Sequence, residues 1–393
     1  METGSKKNLI WRMMGWMLFP FFRLRLRLDV ERLPTDGPSI LVCNHVTNLD
    51  PVLIGAASPD RPLIYVASEH ILRDHPLLRK ALYFLFEPIS RRKAASAVDT
   101  CRKTVRAVRA GKTVCIFAEG ETTWNGKTGP VQPGTAVLVK AAGVPLITYR
   151  FHGGYFAAPR WGRGLRRGRI TGRITGRWSA EELKKMTAEE VNARIREGIR
   201  EDAFAGQKLE KIPYHGRKKN RLSQIDALLF LCPKCGKIGT IRGTGDRLIC
   251  SCGLSVRYNA CLLPAEEAPF PDFTAWDEWQ ANELQKRMAG DPTLCISESR
   301  TDLTLAEIQE NGAMRIAARG RLSMDRNTLR VGEMEIAVSG IRDMATLQNR
   351  KIALSAGDHY YELQAPAACC LRKYLLFWQY VKEEMKRPTE KEA

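Results

Sequence analysis

The stretch Ser39-Ile40-Leu41-Val42-Cys43-Asn44-His45-Val46-Thr47-Asn48-Leu49-Asp50-Pro51 decides how the chain folds. Residues 40–43 are a short continuous apolar run, which predicts a strand buried on both faces. Asp50-Pro51 predicts a helix start, with Asp at the cap and Pro in the first turn. The polar residues between them then fall at the carboxyl end of a strand, where a parallel sheet exposes reactive side chains. A His and an Asp five residues apart can meet across such a turn. The carboxylate would hold one imidazole nitrogen, and the other could take a proton from an alcohol. His-x4-Asp pairs also arise by chance, and a surface His beside a capping Asp is the commoner case.

Working outward, strand and helix signals alternate. Residues 63–67 predict a strand, 77–86 and 95–110 helices, and 113–117 a second buried strand. A helix over 134–142, stopped by Gly143, precedes a strand over 144–151, and another amphipathic helix lies within 180–205. This alternation predicts an α/β domain with a largely parallel sheet flanked by helices. Upstream, Arg23-Leu24-Arg25-Leu26-Arg27-Leu28 alternates strictly and predicts a half-exposed strand.

The N-terminal stretch 1–22 carries Trp11, Trp16, Phe19, Phe21 and Phe22 beside Lys6, Lys7, Arg12 and Arg23. Its apolar part is short for a bilayer span and Arg12 interrupts it. No small-residue cleavage site follows, so a removable signal peptide is not expected. The composition suits a helix lying in a membrane interface, and a helix packed on the protein's own core is the alternative. The formal net charge of +19 favours a polyanionic partner, either an anionic membrane surface or nucleic acid. Seven arginines from Arg160 to Arg177, interspersed with glycines and followed by Trp178, would suit anionic head groups or single-stranded nucleic acid.

Four of the eleven cysteines cluster, in Cys232-Pro233-Lys234-Cys235-Gly236 and Cys250-Ser251-Cys252-Gly253. Two such knuckles can converge on one ion, and four thiolates in tetrahedral array favour a structural zinc in a zinc ribbon. Redox thiols and an unmetallated hairpin are the alternatives. The remaining cysteines are scattered, which suggests reduced thiols in the cytoplasm. Beyond this cluster a helix around 276–288, short strands near Leu294, Met314, Leu329, Met334, Ile352 and Tyr361, and a last helix over about 366–385 predict a small α+β domain. Several short strands closed by one helix resemble a pleckstrin-homology-like module. The expected division is therefore an interfacial helix (1–22), an α/β domain (23–214), a zinc ribbon (222–263) and a C-terminal α+β domain (272–388).

Asn44-His45-x4-Asp50 resembles the first motif of the glycerolipid acyltransferase family, in which His is the general base and Asp its orienting partner. Phe86-Glu87-Pro88-Ile89-Ser90-Arg91 is similar to the second motif, Phe117-Ala118-Glu119-Gly120-Glu121-Thr122 to the third and Val144-Pro145-Leu146-Ile147 to the fourth. The four occur in family order over roughly residues 25–210. The departures are Ala118, Glu121, Thr122 and Thr148. The resemblance implies the lysophospholipid (1-acyl-glycerol-3-phosphate) acyltransferase branch, with His45 and Asp50 catalytic and Arg91, Glu119 and Gly120 binding substrate. It implies an acyl-CoA or acyl carrier protein donor, a lysophospholipid acceptor with lysophosphatidic acid the default, and work on the cytoplasmic membrane face as a peripheral or monotopic protein. Rival readings are a nucleic-acid-binding zinc-ribbon protein and a catalytically silent lipid-binding scaffold.

Overall fold

All four residues of Ile40–Cys43 are fully buried, which is why this strand is apolar throughout instead of alternating. In the computed structural model, which describes residues 2–68, 88–91, 97–217, 221–298, 301–309, 312–366 and 369–386, the chain forms two units. The first comprises 1–160, 164–217 and 260–262; the second comprises 161–163, 218–259 and 263–393.

The first unit is built on strands β1 (Asp29–Val30), β2 (Ile40–Cys43), β3 (Ile64–Ser68), β4 (Ile89–Arg91), β5 (Val114–Phe117), β6 (Leu146–His152) and β7 (Thr171–Trp178). They form one sheet in the order β1-β7-β6-β2-β5-β3-β4. The five strands from β6 to β4 are mutually parallel, and β7 runs antiparallel to β6. The expected largely parallel sheet is therefore present, with an antiparallel edge.

Helices α1 (Glu2–Leu26), α2 (Asp50–Gly55), α3 (Ala97–Arg109), α4 (Gly134–Ala142), α5 (Gly154–Ala157), α6 (Ala180–Lys185), α7 (Ala188–Ile199) and α8 (Ala203–Glu210) connect and follow these strands. Ile40, Val42, Val114, Ile116 and Leu146 pack with Val108 of α3, Ala136 and Val139 of α4, and Val191 and Ile195 of α7. This apolar layer packs helices against the sheet beneath the loops at its carboxyl edge. The helix expected over 77–86 lies outside the described residues.

Two expectations fail at the N-terminal end and in the arginine-rich stretch. Arg23–Leu28 is not a strand: α1 continues through Leu26, and Arg27 turns the chain with a φ of 44°. The local alternation loses to a helical stripe, because Trp11, Gly15, Phe19 and Leu26 are all buried on one face. The stretch 160–177 is not one basic surface either. Arg160 and Arg166 are buried, and residues 171–178 become β7.

The second unit contains the cysteine cluster on a three-stranded antiparallel sheet, β8 (Ile241–Thr244), β9 (Arg247–Cys250) and β10 (Ser255–Arg257). Two further antiparallel sheets follow, one of four strands and one of five, within residues 296–364. They are accompanied by α9 (Phe273–Gly290) and α10 (Arg372–Lys386). Phe230 and Leu231 join Leu284, Leu305, Leu354 and Phe377 in one apolar core. Gln280 of α9 seals the join by accepting the Phe230 N–H at 2.9 Å and donating to the Leu228 carbonyl at 3.0 Å. Arg372 of α10 pairs bidentately with the buried Asp277 at 2.9 and 2.7 Å.

Candidate active site

The loop after β2 is shaped by its own short-range hydrogen bonds. Asn44 is fully buried and clamps the strand end to β6. Its amide donates to the Phe151 carbonyl and its Oδ1 accepts the Phe151 N–H, both at 2.8 Å. The chain then folds back so that Asp50 Oδ2 accepts three donors: the Val46 N–H at 2.7 Å, the Thr47 N–H at 2.9 Å and His45 Nδ1 at 2.9 Å. Asp50 is the first residue of α2, but its carboxylate points back into the preceding loop; Leu49 occupies the cap position. Burial raises the Asp50 pKa, opposed by the His45 ring and the two backbone N–H groups.

This geometry selects the tautomer. With Asp50 accepting at Nδ1, the proton sits there and Nε2 carries the lone pair. The ring is stacked on Phe117 at the end of β5, with centroids 4.3 Å apart and planes 22° apart. A ring held by a carboxylate at one nitrogen and an aromatic face beneath presents its second nitrogen as an oriented base.

Glu119 stands at the end of the neighbouring strand. Its Oε1 accepts the His45 N–H and its Oε2 the Gly129 N–H, both at 2.6 Å. Burial pushes its pKa up to about 8, partly offset by these two N–H groups. Both oxygens are thus engaged with backbone, and the side chain braces the His45 loop from inside. Gly120 has a φ of +79°, and a Cβ there would meet only the Gln132 amide at 3.7 Å. Glycine serves the left-handed turn at this position, and nothing crowds it.

Arg91 is the last residue of β4 and lies opposite Ser68 of β3. Its backbone is therefore on the same carboxyl edge as His45. Three strand spacings separate β4 from β2, roughly 14 Å across the sheet. Residues 86 and 87 of that motif lie outside the described residues.

Three participants escaped the sequence reading. Phe117 opens the third-motif match, but its stacking beneath His45 required the neighbouring strand. Asn44 was visible beside His45, but its clamp on β6 required the sheet. Arg160 was grouped with a surface stretch. Its guanidinium instead donates to Glu121 Oε2 at 2.9 Å and to the Thr122 carbonyl at 2.8 Å, and lies 4.1 Å from the Trp124 ring centroid.

In the second unit the four cysteine sulfurs all lie within 4.8 Å of one another. Cys232 and Cys252 are 3.7 Å apart, and Cys235 and Cys250 3.9 Å. A tetrahedron with metal–sulfur bonds of about 2.3 Å has edges of about 3.8 Å, so the donor set fits zinc. Gly236 and Gly253 follow the knuckles with φ of +67° and +87°, letting each chain turn back around the sulfurs.

Residues 26–152 match the acyltransferase family model. The chain is 25% identical over 132 residues to a chloroplast 1-acyl-sn-glycerol-3-phosphate acyltransferase of Brassica napus, covering 33% of this chain and 37% of that one. It is 28% identical over 123 residues to a Mycoplasma genitalium protein named as a probable 1-acyl-sn-glycerol-3-phosphate acyltransferase, covering 30% and 45%. The chain thus spans less than half the length of either curated relative. A crystal structure of the 1-acyl-sn-glycerophosphate (LPA) acyltransferase from Thermotoga maritima aligns with a TM-score of 0.41 at 21% identity, over 52% of this chain and 80% of that one.

Proposed function

Starting from residues 26–152 as an acyltransferase-family domain, we propose that the protein transfers a fatty acyl group from a thioester to a hydroxyl of a lysophospholipid. The observation that carries this is the His45–Asp50 pair, joined at 2.9 Å with Asp50 buried. Nε2 of His45 removes the acceptor's hydroxyl proton as the oxygen attacks the thioester carbon. A C–O bond forms, the C–S bond breaks, and the proton passes to the leaving thiolate. Asp50 fixes the tautomer and stabilises the ring while it is charged. Phe117, Asn44 and Glu119 position His45. Arg91, on the same edge, is assigned to the acceptor's phosphate. The donor is an acyl thioester of coenzyme A or of acyl carrier protein, and lysophosphatidic acid is the first acceptor to try.

The lipid comes from an anionic membrane surface on the cytoplasmic side. Helix α1 supports this because it is apolar on two opposite faces. Its inward face is pinned: the Trp11 indole donates to the Ser58 carbonyl at 2.8 Å and packs against Gly55 of α2. Its outward face exposes Leu9, Met13, Trp16, Met17, Phe21 and Leu24, at helical spacing. No helix among the described residues is long and apolar enough to cross a membrane. An outward stripe of this kind suits a helix lying in the head-group layer. The helix that enters the lipid is thereby bolted to the helix that begins with Asp50. A structural zinc held by Cys232, Cys235, Cys250 and Cys252 completes the reading.

The test is an acceptor screen with labelled acyl thioester, comparing wild type with His45→Ala. Acylation of a lysophospholipid by wild type alone supports the reading. Equal turnover by the variant overturns the mechanism.

A further inference from the structure

The His45 loop belongs to a closed circuit of hydrogen bonds. On one side Asn44 clamps Phe151, with both bonds at 2.8 Å. On the other, Glu119 accepts the His45 N–H and the Gly129 N–H, both at 2.6 Å. Thr128, next to Gly129, donates its N–H to the Glu201 carbonyl at 3.0 Å, and its hydroxyl accepts the Glu201 N–H at 2.8 Å. His152, next to Phe151, donates from Nδ1 to Glu201 Oε1 at 2.6 Å. Glu201 lies between α7 and α8, and His152 ends β6, the strand beside β2. This last bond therefore closes the circuit on the far side of the loop from His45.

The closing bond has its own chemistry. Nε2 of the same ring is 3.6 Å from Glu210 Oε1 at the end of α8. Each ring nitrogen thus faces a carboxylate, which the doubly protonated imidazolium satisfies at both ends. A neutral ring keeps one N–H and sets a lone pair against one of the two carboxylates. The ring is packed under α8: a Cβ on Gly206 would stand 2.5 Å from its Cε1. Three charged side chains act on it. The hydrogen bond from Glu201 raises its pKa, burial opposes, the charges of Glu201 and Glu210 raise it further and Arg150 lowers it. Lys127 and Asp202 alongside pair with each other at 4.0 Å.

We infer that His152 is a positioning residue for His45: as an imidazolium clasped by Glu201 and Glu210 it closes the circuit that fixes the base, and loss of its proton loosens that circuit. This rests on the acyltransferase reading and adds to it a pH dependence that does not originate in the His45–Asp50 pair. The sign follows from the raised pKa. The clasp is complete below the ordinary histidine value of 6.5 and is lost as pH rises through the higher value in the folded protein.

The experiment uses the full chain. Labelled acyl-CoA and lysophosphatidic acid give kcat and KM between about pH 6.5 and 9, across the ordinary histidine value and above it. Amide exchange of residues 44–47 and 126–129 is followed without substrates and corrected for its intrinsic pH dependence. His152→Ala should lower kcat about tenfold with little change in KM, and should speed exchange in both segments by about as much. His152→Asn carries an amide donor in place of Nδ1 and does not titrate, so it should restore most of both. Glu119 also titrates on this circuit, so the decisive quantity is the ratio of wild-type to His152→Asn turnover at each pH. That ratio should fall as pH rises, and a constant ratio overturns the inference. Unchanged kcat and exchange in His152→Ala overturn it as well. If His152→Ala does not fold, Glu201→Gln decides: its weaker hold on the proton should move the high-pH loss to lower pH, and an unmoved loss overturns the inference. Faster exchange in His152→Ala with no acyl transfer by wild type supports the clasp and removes the acyltransferase reading. Acyl transfer by wild type with unmoved exchange and kcat in His152→Ala does the reverse.

Discussion

The His45 loop and the cysteine cluster were both marked by short spacings, yet they are assembled in different ways. The four sulfurs come from residues 232–252, a single ribbon with its own three-stranded sheet. Everything that converges them is local: two knuckles, two glycines in left-handed turns and a hairpin. His45 and Asp50 are closer in sequence, but what makes them a site arrives from elsewhere. Phe117 ends β5, Glu119 lies in the turn just after it, Gly129 follows further along the same loop, and Phe151 lies on β6. A four-cysteine cluster can be written into one short stretch because turns and a hairpin, which are local, bring its sulfurs together. A base on a strand end needs neighbouring strands to hold it.

The sharpest way to break this contrast is to remove chemistry without structure. His45→Ala and Asp50→Asn should each lower kcat by at least about a hundredfold in the labelled-thioester assay. Zinc content and the melting curve should be unchanged. Parallel loss of fold would mean that the pair is mainly structural.

The converse test acts on the ribbon. Cys232→Ser combined with Cys252→Ser should abolish copurifying zinc, expected at about one ion per chain by elemental analysis. Turnover should fall far less than in His45→Ala. Zinc retained in the double variant would place the ion elsewhere.

A smaller effect probes the brace between strands. Glu119→Gln puts an amide donor against a backbone N–H and should destabilise the protein by about 1–3 kcal/mol in denaturant unfolding. The pH dependence has a definite sign. Folding raises the Glu119 pKa from 4.5 to about 8, so between these values the folded state holds a proton that the unfolded chain releases. Its contribution to stability is therefore fully present below about pH 4.5 and is lost as pH rises towards 8. Glu119→Gln should flatten that slope, and an identical slope in the variant would exclude Glu119 as its source.

The smallest stability change is expected on the outer face of α1. Trp16→Ser with Phe21→Ser should weaken flotation with anionic vesicles at least about tenfold while shifting stability by less than about 0.5 kcal/mol. Deleting residues 1–22 is a blunter instrument, because it also strips Trp11 from Gly55 and Ser58. If the double variant floats like wild type at low and high salt, the stripe does not meet lipid.

The sequence by itself determined the α/β alternation, the place of His45 and Asp50 at a strand end, and the cysteine set, because each is carried by residues within a few positions of one another. Periodicity and turn chemistry are local properties, and local properties survive without the fold. Only the tertiary structure decided what depends on contact between distant segments. Arg23–Leu28 alternates like a strand, yet burial of Leu26 on a long helix overrules that pattern. Arg160 has the sequence surroundings of a surface arginine, yet it lies beneath Glu121, 39 residues away. Glu119 is marked in the sequence only by its place in a motif, and the fold alone puts its two oxygens on backbone N–H groups of two separate loops. Burial and pairing are set by which strands become neighbours, and strand order is not written in any window of the chain.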